Sequence, residues 1–391
     1  MIKSYVINIK EMDDIEFALE ELNEQMAEIS LLKNSIGIVS LNWDYISSGI
    51  YEAVANALPF QLAGGTLLSV ATKDEIGIFV FSVMIFTSDE CEFSCAVSDA
   101  IPNEGNVDQI TQNCYKKALA GLADKAKLAF LFAPLNPNHY AEKYVAAMSV
   151  IDESTPIFGT LTIAEVDNQF GGGKTLLGNE CFDDKLVVVV ISGDIEPQFY
   201  IGSVSDESII MPNVGVITES NDNFVTKINN MPIENFFERI GYDPGVLNKG
   251  AQTTGFIMHE KNEEGEVVSS KVSGILSLKD GVGAFMGNIP EGTVMSVMTT
   301  TKEDIMKTAQ ATINELKKNH SEGTVLLYSC AGRMFCLMNE PMKEHEFLRD
   351  ELSGDYSFMV AGSGGEICPT YVSNDKAYNR GHGHSLVICV I

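Results

Sequence analysis

Residues 35–68 read SIGIVSLNWDYISSGIYEAVANALPFQLAGGTLL, and this stretch decides the fold class. Residues 35–41 are a short apolar run of strand length, the pattern of a strand buried on both faces. A helix is expected over 45–58, opened by Asp44 as its N-cap and stopped by Pro59. Residues 60–68 then form a strand that carries the glycine pair Gly64 and Gly65. Upstream lie a strand over 4–9 and a helix over 12–32, whose apolar residues Ile15, Leu19, Leu22, Met26 and Ile29 recur in steps of three and four. Downstream come strands over 76–87 and 91–97.

The same order returns. A helix over 108–123, a strand over 128–133, a helix over 139–150, a glycine-bearing strand over 156–163 and strands over 186–192 and 198–204 repeat the first unit. Asp13 and Asp108 are 95 residues apart, and Gly65-Thr66-Leu67 recurs 94 residues later as Gly159-Thr160-Leu161. A third, rearranged copy is expected near the C-terminus, with helices over 304–317 and 344–352, a strand over 324–328, a glycine strand over 357–365 and a last strand over 384–391. Between copies two and three, residues 206–300 read as strands and turns with one short helix over 233–240. The fold class is therefore α/β, with repeated helix-strand-helix-strand-strand units forming mixed sheets covered by helices. At 391 residues the chain exceeds one ordinary core, so two joined halves are expected, 1–205 and 206–391.

Composition narrows the function. A formal charge of −28 repels phosphate backbones and anionic lipid headgroups, which argues against nucleic acid and membrane partners. No apolar run reaches the roughly 18 residues of a membrane span, and residues 1–14 lack a cationic-then-apolar pattern, so a cytoplasmic location is expected. The eight cysteines, at 91, 95, 114, 181, 330, 336, 368 and 389, form no CxxC pair and are expected to be reduced.

Four constellations carry polar chemistry. Gly171-Gly172-Gly173-Lys174-Thr175 resembles the end of a phosphate loop but has Asn168 where that loop needs glycine, and no long helix follows; a loop is expected. Ser329-Cys330-Ala331-Gly332-Arg333 follows an apolar strand, so its groups emerge at a strand end, where sites are built. Arg333 offers a planar fork for a carboxylate, or else a partner for a structural ion pair. In Gly362-Ser363-Gly364-Gly365-Glu366, glycines allow close backbone approach and Glu366 is suited to accept from an amine; a tight turn is the plainer alternative. Tyr378-Asn379-Arg380-Gly381-His382-Gly383-His384 places two histidines two residues apart, sharing a face and able to bind metal if the chain is extended, but with no third metal ligand nearby; a polar loop or a ligand contact is the plainer reading.

These last three motifs, in order, resemble the C-terminal part of the FIST family: SCAGR at 329–333, GGEICP at 364–369 and a His-bearing loop before SLVICVI. PIFGTLTIAEVDN and DDKLVVVVISGD are similar to the end of the family's N-terminal part, and GVITESNDNFVTKINNMPIENFFERIG to its continuation. The first half lacks the family's cysteine-serine and Gly-Glu features at its glycine strand, and Gly383 replaces a larger polar residue. The resemblance implies a sensory module that recognises a small ligand, amino acids being the suggested class, and reports to a separate signalling protein. It implies no catalysis, cofactor or metal. Ser329, Cys330, Arg333, Gly364, Gly365, Glu366, Asn379 and His382 are the expected ligand-binding residues, with Arg333 on a carboxylate and Glu366 on an amine. The alternatives are a hydrolase or transferase using Cys330 as nucleophile and a scaffold that binds no ligand.

Overall fold

The computed structural model describes residues 2–163, 173–203, 206–242, 254–261, 264–265, 267–373 and 375–391. The first unit runs β1 (Lys3–Ile9), α1 (Ile15–Ala27), β2 (Asn34–Leu41), α2 (Asp44–Ser47), α3 (Ile50–Ala57), β3 (Gln61–Thr66), the short hairpin β4 (Val70–Ala71) and β5 (Ile76–Gly77), then β6 (Phe81–Ser88). The second runs β7 (Glu92–Val97), α4 (Asp108–Leu119), β8 (Ala126–Pro134), α5 (Ala141–Ser149), β9 (Ile157–Thr162), the hairpin β10 (Thr175–Leu177) and β11 (Glu180–Phe182), then β12 (Val187–Ser192). The third begins with β13 (Gln198–Gly202) and is then interrupted. The insertion holds β14 (Ile209–Asn221), β15 (Phe224–Ile228), β16 (Met231–Pro232), α6 (Ile233–Arg239), β17 (Thr254–Lys261), β18 (Val267–Ser273), β19 (Ile275–Lys279), β20 (Val282–Phe285) and β21 (Val294–Thr299). The unit resumes with α7 (Lys302–Asn319), β22 (Gly323–Cys330), α8 (Ala331–Cys336), α9 (Lys343–Leu352), β23 (Tyr356–Ser363), the hairpin β24 (Glu366–Val372) and β25 (Ala377–His382), and β26 (Leu386–Val390).

In each unit the strands flanking the second helical segment pair in parallel, and the unit's last strand pairs antiparallel beside them. The third copy is thus built like the others and is not rearranged as expected; the insertion separates its first strand from the rest. The sheet orders are β1-β6-β2-β3-β10-β11, β7-β12-β8-β9-β24-β25 and β13-β26-β22-β23-β4-β5. Every unit therefore lends its hairpin to another unit's sheet: the first to the third, the second to the first, the third to the second.

Alternation along the strands assigns the two faces. Ile36 and Ile38, Phe130 and Phe132, and Leu326 and Tyr328 point into one core shared by all three sheets. Their neighbours turn outward, where Val39 packs under α1 and α3, Leu131 under α4 and α5, and Leu327 under α7 and α9. Strands covered on both faces account for near-continuous apolar runs such as 187–191. The insertion forms a sheet of order β18-β17-β21-β14-β15-β20-β19, with β16 beside β15, around a core of its own that includes Phe237, Phe256 and Phe285.

Two local expectations change. The helix over 45–58 breaks at Gly49, whose φ of +81° is left-handed, so Asp44 lies in the first turn of α2 and its N–H donates to Asn42 Oδ1 at 3.0 Å. The strand expected over 76–87 is two, because β5 serves the third unit's sheet and β6 the first unit's. Caps hold elsewhere: Asp14 Oδ1 accepts from Glu16 N at 2.8 Å, and Thr301 and Asp304 form a capping box.

Candidate functional site

The parallel pair β22 and β23 ends with Cys330 opposite Ser363; from β22 the chain enters α8, and from β23 it passes to β24. Such strand ends are where α/β sheets place sites. Arg333 sits on α8, a helix too short for its periodicity to be read from sequence, and is fully buried. Its Nε donates to Glu344 Oε1 at 3.1 Å and its Nη2 to the same oxygen at 2.5 Å, with Ile305 O at 3.2 Å and Thr308 Oγ1 at 3.0 Å also accepting from Nη2. Ser329 Oγ donates to Glu344 Oε2 at 2.6 Å. Burial works to raise the Glu344 carboxyl, but the adjoining guanidinium and the Ser329 hydroxyl outweigh it and hold the pKa below the usual range. The fork expected to meet a ligand carboxylate is thus engaged by Glu344, while Nη1 is buried without a partner.

Glu366 is buried beside this pair and is held without a cation. Ser363 Oγ donates to it, as do Ser385 Oγ at 2.7 Å and Ser385 N at 3.3 Å. Burial lifts its pKa to about 7 against those hydrogen bonds. Cys330 is also buried, and burial followed by the Glu366 charge pushes its thiol up, the reverse of what an activated nucleophile needs. His384 lies across Gly332 from it: a Cβ on Gly332 would stand 2.9 Å from His384 Nδ1 and 3.7 Å from Cys330 Sγ. Burial, then Arg333, lowers His384 to about 3, so its imidazole is neutral near pH 7 and a weak base toward that thiol. His345 Nε2 is 3.0 Å from Ser69 Oγ of the first unit, and burial lowers it to about 4.

Three other candidates are occupied in joining the units. Gly364 N donates to Leu161 O at 3.0 Å and Leu161 N to Gly365 O at 2.8 Å, so these glycines let the chain cross from β23 onto β9. A Cβ on Gly364 would lie 2.9 Å from Leu161 O. Asn379 Oδ1 accepts from Ile157 N at 2.8 Å while its Nδ2 donates to Thr155 O at 3.0 Å, which clasps β25 to the start of β9. The two histidines do not share a face, because His384 has a φ of +58°: His382 Nε2 bonds Cys368 O at 2.9 Å and His384 Nε2 bonds Thr300 Oγ1 at 3.1 Å. Among the described residues no three His, Cys, Asp or Glu side chains are grouped to hold a metal ion. Gly171 and Gly172 of the glycine loop lie outside the described residues; Lys174 pairs with Asp183 and covers the Trp43 ring.

Gly365 and His382 open onto the seam between the units and the inserted sheet. A cavity of about 10 Å³ lies there, lined also by Tyr140, Glu142, Leu276 and Met286. Around it, Tyr140 OH donates to Asp222 Oδ1 at 2.5 Å, Lys143 Nζ pairs with Asp222 Oδ2 at 2.5 Å, and Asn223 Nδ2 donates to Pro137 O at 2.9 Å, fastening the insertion to the start of α5. Glu142 Oε1 is 4.0 Å from Lys271 Nζ on β18. Burial raises the Glu142 pKa, opposed by Lys271 and Arg380. Sequence reasoning passed over Tyr140, Glu142, Lys271 and Glu344, since each reads as an ordinary helix or strand polar residue until the fold covers it. A larger cleft of about 560 Å³, lined by Lys125, Lys127, Phe199 and Tyr371 among others, opens at the opposite strand ends, and none of the expected site residues borders it.

Comparison with known proteins agrees with the motif reading. The FIST N domain matches residues 35–231 and the FIST C domain residues 247–369. No curated protein matches the chain. A solved structure, the cyanuric acid hydrolase from A. caulinodans, aligns over 100% of this chain and 99% of its own at 10% identity, with a TM-score of 0.34 that ties neither its chemistry nor its architecture to this one. With both family domains present in order and together covering most of the sequence, the chain belongs to the FIST family of sensory signal-transduction modules.

Proposed function

We propose that this chain is a small-ligand receptor in signal transduction, that its ligand is an amino acid or a metabolite of similar size, and that the ligand seats in the seam beneath the inserted sheet. The observation that supports this most is the seam cavity, whose lining is drawn from α5, the β24–β25 hairpin and the insertion. Boundaries between separately cored parts are favoured places for ligands, and a molecule held there touches all three segments at once. Gly365 and His382 line the seat in this reading, while Ser329, Cys330, Arg333, Gly364, Glu366 and Asn379 hold its walls in place. At about 10 Å³ the cavity takes one water-sized group, so the remainder of a ligand enters by parting the seam. Occupancy then alters how the inserted sheet is held, and a separate signalling protein in the cytoplasm reads the change. The eight cysteines, none of them disulfide-bonded among the described residues, accord with that compartment.

A thermal-shift panel of the common L-amino acids and small metabolites tests the proposal. At ~1,000 times its Kd a ligand adds about 4 kcal/mol of stability, well within detection. The expected result is a selective stabiliser whose effect falls in His382→Gln and Met286→Ala. A stabiliser indifferent to both substitutions belongs elsewhere on the molecule, and a panel with no stabiliser leaves the scaffold alternative.

A further inference from the structure

We propose that Glu142 receives a primary ammonium group of the ligand. The proposal rests on the receptor reading above and names the chemistry of that same seat. Its ground is a contrast among carboxylates. Glu344 is held by Arg333 and Ser329, Glu366 by Ser363 and Ser385, and Asp222 by Tyr140 and Lys143. Glu142 borders the cavity and, among the described residues, accepts no hydrogen bond from another side chain; its nearest cation, Lys271, stands 4.0 Å away and donates its ammonium to Asn288 O at 2.6 Å. The Glu142 side chain keeps about a quarter of its surface exposed, so its carboxylate can be reached from outside, and one with so few protein donors beside a cavity is suited to a donor carried by a ligand.

The surroundings narrow the donor. A Cβ on Gly381 would stand 2.9 Å from Glu142 Oε2 and one on Gly287 3.2 Å from Oε1, so both oxygens are approached by residues without side chains. The space beside them, about 10 Å³, matches a water-sized group. A primary ammonium is of that size and offers three N–H donors, whereas a guanidinium or a trimethylammonium is too large. Leu135, Leu161, Leu276 and Met286 supply apolar wall for the carbon chain that follows.

Matched compounds separate this claim from the receptor reading. L-Amino acids, ethanolamine and putrescine are titrated into the full chain by calorimetry beside partners that lack the amine or carry it methylated: propanoate for alanine, 4-methylpentanoate for leucine, betaine for glycine. The expected result is at least tenfold weaker binding whenever the primary amine is absent or trimethylated. Glu142→Gln removes that preference, and Lys271→Met, which deletes the loose ion pair but keeps the carboxylate, retains it. Should Glu142→Gln fail to fold, Glu142→Asp, which withdraws the carboxylate by one methylene, reads the same preference. Equal binding of amine and des-amino partners to the unaltered protein overturns the Glu142 assignment while the receptor reading stands. An amine preference that survives in Glu142→Gln or Glu142→Asp also overturns it, and binding by none of the compounds overturns both.

Discussion

A carboxyl group held by hydroxyls and a backbone N–H titrates differently from one gripped by a guanidinium, and the third unit buries one of each. Glu344 is kept ionised by Arg333, whereas Glu366, with a pKa of about 7 against an ordinary 4.5, favours its proton. Between those two pH values the folded state binds more protons than the unfolded one, so the stabilisation linked to Glu366 is complete below pH 4.5 and is lost as pH rises through 7. The full span corresponds to about 3 kcal/mol. His345 and His384 act in the opposite direction: their lowered values mean that unfolded chains take up protons first, so their contribution is lost as pH falls below about 6.5. Glu366→Gln is therefore expected to gain on the unaltered protein between pH 5 and pH 8, by up to ~3 kcal/mol in urea titrations. A difference that stays constant over that range would show that Glu366 does not titrate as described. The identity of these side chains was legible in the motif SCAGR and in Glu366; their partners were not, because Glu344 and Ser385 read as ordinary polar residues of an expected helix and an expected strand.

At the scale of elements, the glycine strands were the most readable feature, and the reason for their glycines is packing. A Cβ on Gly159 would fall 2.0 Å from Leu131 O of the neighbouring parallel strand, and one on Gly64 2.0 Å from Val39 O. Gly159→Ala must push a backbone carbonyl aside and is expected to cost about 3 kcal/mol, read as a shift in the denaturation midpoint. Gly354→Ala, where a Cβ meets nothing within 4 Å, serves as the control and is expected to stay within about 0.5 kcal/mol. Equal effects at the two positions would remove close approach as the explanation. The break at Gly49 and the short α8 escaped sequence reading for a shared reason: both occupy fewer residues than a helical period needs to declare itself.

Across the whole molecule, hairpin exchange makes the units depend on one another. A fragment ending at residue 203 lacks β24 and β25, which complete the sheet at β9, and leaves β4 and β5 without β23. Exposed strand edges of this kind promote association, so the fragment is expected to aggregate or bind a hydrophobic dye. In the full chain the shared core, including the Phe158 and Tyr328 rings at 5.3 Å, couples the units. Trp43, the single tryptophan, reports on the first unit, and its fluorescence is expected to lose its folded signal at the same urea concentration as the circular dichroism of the sheets. Separate midpoints would mean that the first unit unfolds independently despite the exchange.

The sequence by itself determined that strands and helices alternate in repeated α/β units, that strands such as the one over 35–41 are buried on both faces, and that the C-terminal motifs are those of a sensory family. These properties are local, written in periodicity, turn residues and short motifs. Only the tertiary structure decided which hairpin completes which sheet, that Arg333 is met by Glu344, and that Glu142 lies under the insertion. Strands apolar on both faces carry little that distinguishes one neighbour from another, and a charged side chain reads the same whether water or a distant segment will cover it.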